Sequence, residues 1–123
     1  MVRSQIQARG IKHRPTLDAM RSVPRHLYVP VQQQANAYQD RPLPIGYGQT
    51  ISQPYIVAYM TQIIAPSQDQ RILEIGTGSG YQAAVLAELA DTVYTVEIIP
   101  ELTGRARKAL SIHYNNVKIK TDD

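Results

Sequence analysis

Two acids and a run of small residues stand out for the chemistry their types and spacing allow. Glu74 and Ile75 lead into Gly76, Thr77, Gly78, Ser79 and Gly80, and Glu97 closes a β-rich stretch from Thr92 to Ile98. Small residues let a chain turn sharply and let a ligand approach the main chain closely. The helix expected after Gly80 would add unpaired N–H groups and a positive dipole end, which favour anionic or lone-pair-rich groups. A carboxylate at the end of the second strand, at Glu97, can accept both hydroxyls of an adenosine ribose.

The glycines alone leave the ligand open. Gly78 to Ala83 also satisfies the dinucleotide fingerprint with alanine in the last place, and Glu97 lies near the offset that motif requires. Two features weigh against a pyrophosphate. The glycines recur at every second position from Gly76, which makes a broad, flat loop. Glu74 stands two residues ahead of them, where a carboxylate repels phosphate but attracts an amino or sulfonium cation. S-adenosyl-L-methionine therefore fits better than a nicotinamide dinucleotide.

The elements that must position these groups follow from periodicity. Arg71–Ile75 is a short apolar run, Tyr81–Ala90 is an alanine- and leucine-rich helix, and Thr92–Ile98 is a strand. Pro100 starts a helix whose Leu102, Ala106, Ala109 and Leu110 share one face, and Val117–Thr121 alternates as a border strand. Strand–helix–strand–helix–strand predicts α/β architecture with a parallel sheet, the first strand inside it. Upstream, Val2–Lys12, Thr16–Ser22 and Val31–Ala37 read as short helices, and Arg25–Val29 as an extended or turn-like piece between Pro24 and Pro30. Tyr38–Gln53, with Pro42, Pro44, Gly46 and Gly48, reads as an irregular but packed functional loop, because it also holds Leu43, Ile45, Tyr47 and Ile51. Pro54 opens a further helix with Ile56, Met60, Ile63 and Ile64 as its apolar stripe. The chain thus divides into N-terminal helices with a loop (residues 1–66) and the first part of a nucleotide-type domain (67–123).

Composition narrows the class. An apolar fraction of 43% and a charged fraction of 19% are those of an ordinary globular protein. No window has the roughly 18 apolar residues of a membrane helix. The polar, basic N-terminus lacks the apolar core of a secretory signal. There is no cysteine, which fits a reducing compartment, so a cytoplasmic location is expected. Arg3, Arg9, Lys12, Arg14, Arg21 and Arg25 face only Asp18 near the N-terminus, and read as a solvated helix surface rather than a nucleic-acid module. His13, His26 and His113 are scattered and predict no metal site, and the tyrosines are expected in the core and at its boundary.

Several segments resemble one family in its own order. Ile45-Gly46-Tyr47-Gly48-Gln49-Thr50-Ile51-Ser52-Gln53-Pro54 is similar to the signature loop of protein-L-isoaspartate O-methyltransferases. Val23-Pro24-Arg25, Tyr28-Val29-Pro30, Arg41-Pro42-Leu43-Pro44 and Leu73 to Gln82 look like its other markers, so the resemblance spans essentially all 123 residues. It implies a Rossmann-like class I methyltransferase fold with an N-terminal helical segment, and methyl transfer from S-adenosyl-L-methionine to the free carboxylate of L-isoaspartyl residues in damaged proteins. By the same resemblance Ser52 is the active-site residue, with Gln49 and Thr50 as weaker substrate contacts. Glu74, Gly76, Thr77, Gly78 and Gly80 form the cofactor loop, Glu97 holds the ribose, and Asp123 matches the acid at the adenine amino group. Asp122 replaces the glycine usual before that acid. The implied partners are isoaspartyl-containing peptides and proteins, with no nucleic acid or membrane, and the complete family form is expected to be a monomer.

Three strands are encoded where open sheets average about five or six. The 123 residues are accordingly read as the N-terminal part of a longer enzyme, and unpaired apolar residues are expected on the first strand. Other readings are a class I methyltransferase of RNA or small molecules, for which the Ile45–Pro54 loop has no purpose, and a non-catalytic binding module.

Overall fold

The computed structural model describes residues 1–123. The N-terminal region is built from short turns. A π-type turn (Val2–Ile6) and a 3-10 turn (Gln7–Arg9) stand where one helix was expected, with Gly10 in the left-handed region breaking the run. Helix α1 (Arg14–Ser22) follows, then 3-10 turns at Arg25–Tyr28 and Val31–Asn36. The first of these two is helical rather than extended, and it buries Arg25 and Tyr28.

The proline- and glycine-rich stretch is not irregular. Leu43–Gly46 (β1) pairs antiparallel with Gln49–Ile51 (β2), with a register irregularity between Pro44 and Gly46. Gly46, Tyr47 and Gly48 all have positive φ, and this left-handed run reverses the chain. Leu43, Ile45 and Ile51 point into the core. A two-stranded ribbon is all edge, so Pro44 costs no interior ladder bond.

Helix α2 (Pro54–Ile64) begins with proline as expected but buries the wrong residues for its predicted stripe. Pro54, Val57, Ala58 and Thr61 face the core, while Ile56, Met60, Ile63 and Ile64 face solvent. The next units alternate: β3 (Arg71–Ile75), α3 (Tyr81–Ala87), β4 (Thr92–Glu97), α4 (Pro100–Leu110) and β5 (Val117–Thr121). The strands run parallel in the order β3-β4-β5. With these strands β4 is central and β3, expected inside, lies at an edge.

Register decides which face each residue takes. Ile72, Val93 and Val117 lie side by side, as do Glu74, Thr95 and Ile119. This face is covered: α3 packs on β4, and α4 packs on β4 and β5. The opposite face carries Leu73 (63% exposed), Ile75 (76%) and Tyr94. Its apolar residues are bare across the sheet face as well as along the edge. No helix is long and apolar enough to cross a membrane.

Candidate functional site

The glycine loop is fastened to the second parallel strand. The N–H groups of Gly76 and Thr77 both donate to the Val96 carbonyl, at 2.8 and 3.1 Å. Gly78 N–H donates to Glu97 Oε1 at 2.7 Å, and Gly80 N–H to the Thr77 carbonyl at 2.9 Å. Gly80 has φ +90°, and a Cβ there would stand 3.2 Å from both Ala106 Cβ and Leu110 Cδ1. A bare backbone at this point lets α4 close against the loop. The loop amides of Gly76, Thr77, Gly78 and Gly80 are therefore engaged within the protein, and α3, at seven residues, is shorter than expected.

The two acids occupy different environments. Glu97 is 6% exposed, and its second oxygen accepts from Ile99 N–H at 3.1 Å. It braces the loop from beneath. Glu74 is half-buried and accepts from the Thr95 hydroxyl at 2.6 Å, while the Thr77 hydroxyl lies 2.6 Å from that of Thr95. Burial pushes the Glu74 carboxyl up to about 7; the Thr95 hydrogen bond opposes the shift and the Glu97 charge adds to it.

Glu74 opens into a cleft of about 410 Å³ bounded by the hairpin end, α2, β3 and the loop. Thr50 and Ser52 line it opposite Glu74, Gly76, Thr77 and Gly78, and no lysine, arginine or histidine does. A second cleft shares Gly76 and is lined by Glu97, Ile98, Lys120, Asp122 and Asp123. The fold thus brings Ser52 and Thr50 to Glu74 on one side of the loop, and Glu97 and Asp123 together on the other. Asp122 donates its N–H to the Glu97 carbonyl at 3.1 Å and pairs with Lys120 at 2.9 Å. Gln49 lies outside both linings, opposite Gly46 at the start of β2.

Ser52 is exposed between the hairpin and α2 and does not cap that helix. Gln53, not Ser52, occupies the N-cap of α2, and no side chain caps that helix. Gln53 Nε2 donates to Asp40 at 2.7 Å, and Asp40 also pairs with Arg9, which together with Gln53 holds its carboxyl down to about 2. On the other strand Arg105 of α4 donates to the Ile45 carbonyl, its guanidinium 5.6 Å from the centre of the Tyr47 ring.

Three supporting residues escaped the sequence reading. Thr95 had a usable signal, since two positions before Glu97 on one strand means the same face. Arg105 had none. Arg25, read as part of a solvated basic surface, is fully buried; its Nε–H donates to the Ala37 carbonyl and its guanidinium lies 4.9 Å from the centre of the Tyr81 ring. The eight tyrosines divide, with Tyr28 and Tyr81 buried, Tyr55 and Tyr114 half-buried, and Tyr38, Tyr47, Tyr59 and Tyr94 exposed.

Parallel strands, a glycine loop after the first and an acid closing the second make a Rossmann-like α/β fold, and the solved structures that match it place it in the class I methyltransferase fold. A solved protein-L-isoaspartate O-methyltransferase superposes with a TM-score of 0.85 over 95% of this chain and 39% of its own, at 24% identity. A Plasmodium falciparum counterpart, crystallised with S-adenosyl-L-homocysteine, gives 0.79 over 94% and 59%, at 23% identity. The tRNA (m1A58) methyltransferase of Aquifex aeolicus matches only 63% of the chain, with a TM-score of 0.57 and 34% identity over 32% of its own length.

The family model for protein-L-isoaspartate(D-aspartate) O-methyltransferase matches residues 1–123, and the chain belongs to that family. The protein-L-isoaspartate O-methyltransferase 2 of Geotalea uraniireducens is 58% identical over all of this chain and 57% of its own length. The Methanoculleus marisnigri relative is 60% identical over 90% of this chain and 50% of its own. The chain spans about half the length of the curated relatives it matches.

Proposed function

We propose that this chain serves methyl transfer from S-adenosyl-L-methionine to the free carboxylate of L-isoaspartyl residues in proteins. The observation that carries the reading is the cleft in which Ser52 and Thr50 of the signature hairpin face Glu74 and the glycine loop. Its lining holds one carboxylate and no cationic side chain, which suits a positively charged ligand group and not a pyrophosphate.

Glu74 with the loop from Gly76 to Gly80 would hold the amino-acid end of the cofactor, and Glu97 and Asp123 its nucleoside end. Glu97 fits as an acceptor, because each carboxylate oxygen has a lone pair beyond the one its backbone N–H partner uses. When bound, the cofactor supplies an activated methyl group. The chain's own task is alignment. A substrate carboxylate, with a reference pKa near 4, is ionised at neutral pH and needs no general base. Ser52 needs only to orient it by a hydrogen bond, and alignment of this kind contributes several kcal/mol.

The extent of the fold match favours a protein substrate over RNA. The tRNA methyltransferase matches a smaller part of the chain than the two isoaspartate methyltransferases. The test is transfer of an isotope-labelled methyl group to an isoaspartyl peptide, with the aspartyl isomer and tRNA as controls. Isomer-specific labelling that falls at least tenfold with Ser52→Ala is the expected outcome. Labelling of RNA, or equal labelling of both isomers, would overturn the reading.

A further inference from the structure

We propose that Thr95 is a positioning residue of the cofactor cleft, its hydroxyl holding the Glu74 carboxylate in place to meet a cationic group of the ligand. This rests on the methyltransferase reading above. Thr95 lies in the middle of the central strand, is fully buried, and is the register partner of Glu74 across β3 and β4. Side chains of such partners share a face, so the 2.6 Å bond between them follows from the pairing itself.

The bond is one link of a chain. Thr77 Oγ1 lies 2.6 Å from Thr95 Oγ1, and both threonines are buried. An ionised carboxylate can only accept. With Glu74 ionised, the Thr95 hydroxyl must donate to Glu74, and the Thr77 hydroxyl must donate to Thr95. Such chains strengthen their members in a low-dielectric interior. The charge state of the cleft acid is thereby tied to Thr77, a residue of the glycine loop.

The surroundings leave Thr95 as the side-chain donor that Glu74 has. Glu97 faces it from β4 with like charge, and Tyr81 of α3 is the other titratable group in the cleft lining. The hairpin and α2 contribute Thr50, Ser52 and Thr61 to that lining, none of them titratable. Without Thr95, desolvation and the Glu97 charge would act on Glu74 unopposed. A neutral acid would then meet the cofactor's cation.

The test uses Thr95→Val, which keeps shape and β-branching and removes the hydroxyl, with Thr95→Ser to restore it. Two measurements are needed: S-adenosyl-L-homocysteine titration by calorimetry from pH 5.5 to 8.5, and the ligand-free Glu74 carboxyl midpoint by carbon-13 NMR. Thr95→Val is expected to raise the Glu74 midpoint and to weaken binding about tenfold at neutral pH, the scale of one hydrogen bond to a charged group. Thr95→Ser is expected to recover both. If Thr95→Val unfolds because Thr77 loses its partner, Thr77→Val/Thr95→Val removes both hydroxyls together and is read the same way. An unchanged midpoint and affinity in a folded variant overturn this inference alone. A wild-type chain that binds no cofactor overturns the proposed function and this inference with it.

Discussion

Helices α2 and α4 are both eleven residues long, both start with proline and both carry an apolar stripe, yet only one stripe is covered. In α4, Leu102, Ala106 and Leu110 are buried, and Ala106 and Leu110 close on Gly80 of the glycine loop. In α2 the richer stripe of Ile56, Met60, Ile63 and Ile64 faces outward, and the helix holds the core through Val57, Ala58 and Thr61. The sheet repeats the contrast, with Val93 and Thr95 under the helices and Leu73 and Ile75 on the bare face. Apolar periodicity reports which residues gain from burial. It does not report whether a partner surface lies within the same stretch of chain.

Truncating both stripes should separate the covered helix from the bare one. Leu110→Ala is expected to cost about 3 kcal/mol, because it empties packed space beside Gly80. Ile63→Ala on α2, where the side chain is 63% exposed, should cost less than about 0.5 kcal/mol. Urea unfolding of the two variants measures both. Similar losses would mean that the α2 stripe is covered in solution and that the contrast is false.

What the sequence made legible divides along the same line. The βαβαβ order, the glycine loop and the α4 face could be read because each rests on local pattern, with the partner a few residues away. The β1–β2 hairpin could not, because Pro44, Gly46 and Gly48 look like breakers. Its strand character comes from Leu43, Ile45 and Ile51 reaching the core and from a left-handed run that includes a tyrosine. Arg25 was unreadable for a related reason. A guanidinium looks like surface until Tyr81, 56 positions later, covers it with an aromatic face. Ser52 and Glu74 could be named individually, but their shared cleft depends on the hairpin turning back toward β3.

The two acids of the glycine loop differ in the same way, and pH separates them. Glu97, beneath the loop, has an N–H donor on each oxygen; Glu74, in the cleft, has one hydroxyl donor. The folded Glu74 carboxyl is raised to about 7 from an ordinary value of 4.5, burial being the main cause. Between these values the folded chain binds more protons than the unfolded one, so its stability falls as pH rises through that window and levels off above it. Glu74→Gln should remove the decline and stabilise the chain at pH 8 by on the order of 1 kcal/mol, partial solvent screening included. Thermal melts of both proteins from pH 4.5 to 8 check it. A wild-type profile that runs parallel to that of Glu74→Gln across the window would show that folding does not raise the Glu74 carboxyl.

The smallest effect on stability should accompany a large one on behaviour. Met60→Gln and Ile63→Gln remove apolar surface from α2 where both side chains are more than half exposed, and glutamine is as good a helix former as methionine. Each should leave the urea midpoint within the range of an ordinary surface change, about 0.5 kcal/mol. Met60 and Ile64 of the stripe line one cleft with Leu73 and Ile75 of the sheet face, and exposed apolar surface of this extent associates. The wild-type chain should therefore bind a hydrophobic dye and grow in light scattering with concentration, and the double variant should do less of both. If dye binding persists in full while Leu73→Lys abolishes it, the exposed sheet face, and not α2, is the surface that governs association.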